Sequence, residues 1–104
     1  MQTGDTIIAC SGGQISILVG VENYYLASAD IATLLVYGKE VPLYLDTGVI
    51  DADSSAFQHP GKKGIVFAIM GEAWLVPKEA FVDVARGAIA ETEMLPIVWR
   101  GPVS

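Results

Sequence analysis

Apolar and polar positions along this chain set out the same kinds of element twice. Thr6-Ile7-Ile8-Ala9-Cys10 is a β-branched run that predicts a strand, closed by the turn Ser11-Gly12-Gly13. Gln14 to Val19 begins with polar–apolar alternation and predicts a strand covered on one face. Gly20-Val21-Glu22-Asn23 reads as a hairpin turn, and Tyr24-Tyr25-Leu26 as a short returning strand. Ser28 then reads as a helix N-cap, with Asp30 in the first turn where negative charge suits the helix dipole. Ile31, Leu34 and Leu35 form one apolar helix face, and Gly38 is placed to stop it. Val41 to Leu45 is extended, with Pro42 marking an edge strand or a strand start.

The second half repeats the series. Ile65 to Ile69 predicts a central strand, Met70 to Ala73 a turn, and Trp74 to Val76 the return. Pro77 suits the first position of a helix whose face is Phe81, Val84 and Ala85, ended by Gly87. Glu91 to Glu93 reads as a polar loop and Leu95 to Trp99 as a final strand. Between the halves, Asp46 to Gly64 holds few large apolar residues and reads as a long connecting loop.

The expectation is therefore an α+β fold: a small β-barrel or packed-sheet domain from two pseudo-symmetric ββαβ units, with two short helices and an additional N-terminal strand. Residues 1–104 form one domain, with a candidate internal repeat of 14–45 and 64–99 joined by loop 46–63. The registers conflict. An offset of fifty aligns Ile15 with Ile65, Tyr24 with Trp74 and the helix faces, whereas Gly38 and Gly87 align at forty-nine. The element order is similar to that of double-psi and related small barrels. Those often carry Gly-Asp after the helix, where this chain has Gly38-Lys39-Glu40 and Gly87-Ala88-Ile89.

Composition adds a second expectation. Hydrophobic residues make up 52% of 104 residues and charged residues 17%, so a small domain has apolar area to cover. That favours a homo-oligomer. The net charge of −6, with Lys62-Lys63 the only adjacent basic pair, argues against nucleic acid or an anionic membrane surface as partner. One cysteine precludes an intrachain disulfide, and no signal-peptide series opens the chain, which reads as cytoplasmic.

Candidate chemistry is sparse. Cys10 and Ser11 beside two glycines could form a thiol or ligand site, but the base such a thiol needs would have to be His59. Asp51 and Asp53 open a calcium-loop pattern that Ala56 and Lys62 break, so no metal is expected. Cys10, Ser11, Asp51, Asp53 and His59 are the candidate ligand-binding residues. Tyr24, Tyr25, Trp74, Trp99 and Arg100 are the candidate interface, with capping of the barrel core the equal alternative for the four aromatics. No catalytic set and no cofactor emerge. The sequence points to a non-enzymatic, homo-oligomeric binding or assembly module, and alternatively to a small-ligand-binding or enzymatic barrel using the 46–64 loop.

Overall fold

Ile15, Ile17, Tyr24 and Leu26 point into one core, while Ser16, Leu18, Asn23 and Tyr25 alternate with them on the other face. That period of two makes the segments a hairpin with one covered side. The computed structural model describes residues 5–99. Its strands are β1 (Thr6–Ala9), β2 (Ile15–Val19), β3 (Glu22–Leu26), β4 (Val41–Leu45), β5 (Ile50–Gln58), β6 (Gly64–Ile69), β7 (Glu72–Pro77), β8 (Glu91–Glu93) and β9 (Leu95–Ile97). Helix α1 spans Ser28–Val36 and helix α2 spans Lys78–Ala85.

All nine strands form one antiparallel sheet in the order β8-β1-β2-β3-β4-β5-β6-β7-β9. From β1 to β7 each strand pairs with the next in the chain. The two outermost strands are also successive, with Met94 alone between them. One extended segment thus pairs with β1 through its first part and with β7 through its second. The sheet curls into a nearly closed barrel, which leaves no long strand edge open. This is a meander, without the crossed connections of the psi-type barrels that the element order resembles.

Both helices connect strand ends at the same end of the barrel, and the β2–β3, β4–β5 and β6–β7 turns lie at the other. Ile31 and Leu34 of α1 and Phe81 and Val84 of α2 are buried in the common core. The Phe81 ring lies 6.0 Å from that of Phe67 on β6. Each such side chain contributes about 1.5–3 kcal/mol on burial, so the helices are integral to the core.

The two hairpins pair alike. Ile65↔Val76 stands fifty positions after Ile15↔Leu26, and Phe67↔Trp74 fifty after Ile17↔Tyr24. The conflict of offsets resolves at the helices: α1 has 9 residues and α2 has 8. Because α2 is one residue shorter, Gly87 follows its helix start one place sooner than Gly38 does, and both glycines have positive φ, 79° and 65°.

Several expectations are corrected. Residues 50–58 are not part of a loop: β5 is the longest strand, lying between β4 and β6. Its polar stretch is a bulge, since Pro42 pairs with Ser55 but Leu43 pairs with Asp51. Asp51 supports the bulge by accepting the Asp53 N–H at 3.2 Å and the Ser54 hydroxyl at 2.6 Å. Of the two readings of Pro42, the edge strand is corrected, because β4 is interior, and the strand start holds: Pro42 is the second residue of β4, at the bulge and short of the two positions where β4 pairs with β3. Glu91–Glu93 is strand β8, because β1 supplies its partner. Neither helix is capped as expected. Ala27 and Pro77 occupy the N-cap positions, with no side-chain hydrogen bond. No helix among the described residues is long and apolar enough to cross a membrane.

Candidate functional site

Where β4 separates from β3, the outer face of the sheet carries a pocket of about 340 Å³. Tyr25 and Tyr44 stand opposite each other across the last paired positions of β3 and β4 and both line it. Gln14, just after the Ser11–Gly13 turn, borders it at the helix end. Asp46 and Gly48, in the β4–β5 turn, border it at the other.

A chain of polar groups positions Tyr25. The Ser16 hydroxyl donates to Asn23 Oδ1 at 2.7 Å, and Asn23 Nδ2 donates to the Tyr25 hydroxyl at 3.2 Å. Burial pushes the Tyr25 phenol above its ordinary value. The neighbouring Asp46 carboxylate pushes the same way, with a smaller effect from Cys10. The Cys10 N–H donates to the carbonyl of the pocket residue Gln14 at 3.0 Å, although its thiol is directed to the Ile8 carbonyl at 3.8 Å. Ser11 is exposed in the adjoining turn.

The other sequence candidates lie elsewhere. His59 Nδ1 accepts the N–H groups of Gly61 and Lys62 at 2.9 and 3.1 Å, which makes it a turn-forming residue. It lines no pocket with Cys10. Asp51 and Asp53 belong to the β5 bulge. Among the described residues, no group of three or more His, Cys, Asp or Glu is placed to hold a metal ion.

Of the interface candidates, Tyr24 and Trp74 are core residues, 2% and 5% exposed. They are equivalent inward positions of the two hairpins, and this is why they cannot face a partner. Trp99 packs on the outer face of the sheet, its ring 5.1 Å from Phe57 and 5.3 Å from His59. Arg100 lies outside the described residues.

Trp99 also marks a second surface. Phe57, Val66, Leu75 and Leu95 are successive cross-strand partners on β5, β6, β7 and β9. They form one apolar row on the side away from the core. Val66 in this row is fully buried, whereas Leu95 is 57% exposed and nearby Val98 82%. The corresponding face of the first half carries Ser16, Asn23, Tyr25 and Tyr44 instead.

Tyr44, Asp46 and Gln14 were not apparent as site residues in the sequence. The available signal was Tyr25 and Tyr44 flanking one helix, but that spacing gains meaning only once β3 and β4 are paired. Compared with known protein families, curated proteins and solved structures, the chain matches none.

Proposed function

We propose that this protein is a non-enzymatic binding or assembly module that pairs with a second copy of itself through the outer face of β5, β6, β7 and β9. The observation that carries this reading is the apolar row Phe57–Val66–Leu75–Leu95, buried at Val66 and open at Leu95, which is 57% exposed. A chain of net charge −6 repels its own copies at most approaches. Exposed Leu95 and the half-buried Phe57 and Leu75 leave this face apolar, so two copies meet there at the least electrostatic cost. A non-enzymatic role is supported by the engagement of Cys10 with Ile8 and of His59 with its own turn. The acidic balance keeps nucleic acid and anionic membranes from being its partners, and a lone thiol fits the cytoplasm.

The same reading takes the molecule as a duplicated unit. The equal hairpin registers and the one-residue difference in helix length support that origin. Divergence then made one outer face apolar for assembly and left the other polar.

Sedimentation equilibrium tests the proposal. The expected result is a dimer at micromolar concentration, converted to a monomer by Leu95→Glu with an unchanged circular-dichroism spectrum. A wild-type chain that stays monomeric at millimolar concentration overturns it.

A further inference from the structure

We infer that the Tyr25–Tyr44 pocket is a binding site for a compact organic cation, an alkylated ammonium group. This rests on a different face from the proposed self-association and stands or falls independently of it.

The walls supply what such a group needs. Two tyrosines opposite each other on neighbouring strands offer aromatic surface, and ring faces attract cations through their quadrupole. Asp46 adds a carboxylate at the rim. No lysine or arginine lines the pocket, and the only ion pair among the described residues joins Arg86 to Asp83, so Asp46 has no cationic partner among them. The surrounding chain is acidic, which raises the local concentration of cations. A volume of about 340 Å³ falls at the lower end of small-molecule sites.

Other ligand classes fit less well. A metal ion needs several ligands in a closed geometry, and one carboxylate beside phenols does not provide them. An anion meets Asp46 without any basic residue to offset it. A neutral apolar molecule gains nothing from the exposed Asp46 carboxylate at the rim. The Ser16–Asn23–Tyr25 chain holds the Tyr25 ring in place before a ligand arrives, which reduces the ordering cost of binding.

The probe is choline, titrated while the ring resonances of Tyr25 and Tyr44 are followed by NMR. Its carbon isostere, with a quaternary carbon in place of nitrogen, is titrated in parallel. The expected result is saturable shifts at both rings, weakened by added salt. Asp46→Asn and Tyr44→Ala should each weaken binding by about tenfold. Asp46 is exposed, so its variant tests the charge with the fold intact. A peptide carrying trimethyllysine separates the possible sources: tighter binding than choline assigns the site to a protein partner, and weaker binding to a free small molecule. The inference is overturned if neither probe shifts the two rings. Equal binding of choline and its isostere, or an Asp46→Asn variant with unchanged affinity, also overturns it.

Discussion

The Trp74 indole N–H donates to Asp5 Oδ2 at 2.9 Å, joining β7 to the residue before β1. Asp5 makes two further bonds. Its Oδ1 accepts the Gly20 N–H at 3.1 Å, and its carbonyl accepts the Met94 N–H at 2.8 Å. One residue thus ties together the β2–β3 tip, β7 and the joint between β8 and β9. These are the places where the barrel closes.

Removing this clasp should loosen closure. Asp5→Ala is expected to lower unfolding free energy by about 1.5–3 kcal/mol, because hydrogen bonds to a charged acceptor are lost and a buried indole N–H is left unpaired. Denaturant unfolding of Asp5→Ala, Trp74→Phe and the double variant measures this. Coupling near zero in that cycle would show that the bond contributes nothing.

Met70 has a positive φ of 52° and precedes Gly71 at 84°. This is the conformation of a two-residue hairpin tip that favours asparagine then glycine. Met70 is exposed, so replacing it removes little packing. Met70→Asn is expected to stabilise the protein by about 0.5–1 kcal/mol, seen as a higher melting temperature. A lower one refutes this account of the turn.

Gly64 has the opposite constraint. A Cβ there would meet Leu75 Cδ1 at 2.6 Å and the Val76 carbonyl oxygen at 3.1 Å. Leu75 can shift, but the backbone oxygen cannot shift freely. Gly64→Ala is expected to cost about 1–3 kcal/mol, with the melting temperature as readout. Gly61→Ala, whose nearest neighbour is a His59 ring atom at 3.7 Å, serves as the mild control.

Alkaline pH should destabilise the fold. Burial raises the Tyr24 phenol above its ordinary value of 10.0, with help from the charges of Asp51 and Glu22, while the neighbouring Ser54 opposes. Tyr25 is raised as well. A raised folded value means that the unfolded chain loses its proton first. The stability contribution is therefore complete below 10.0 and is lost as pH rises through the folded value. Stability measured across this range should fall, and less steeply in Tyr24→Phe. Equal slopes would place the cause in other groups.

Legibility in the sequence followed the range of the interactions. The hairpin cores, both helix faces and the stops at Gly38 and Gly87 were legible, because each depends on neighbours within a few positions. Strand β5 was not. Its Asp51, Asp53 and Ser54 resemble a loop, and they are extended because β4 and β6 pair with the segment on both sides and Asp51 supports the bulge. Of the two readings of Pro42, the strand start holds and the edge strand does not, since β4 has neighbours on both sides.

The sequence by itself determined that this is an α+β chain with two similar strand–strand–helix series, and that it is acidic and rich in apolar residues. Turn chemistry and periodicity are local, so they need no partner to be read. Only the tertiary structure decided that the segment around Met94 closes the barrel, that Tyr24 and Trp74 are core residues, and that Tyr25 and Tyr44 share a pocket with Asp46. It also set Phe57, Val66, Leu75 and Leu95 in one row. Those outcomes depend on which strands pair and in what register, and cross-strand register joins residues far apart in the chain.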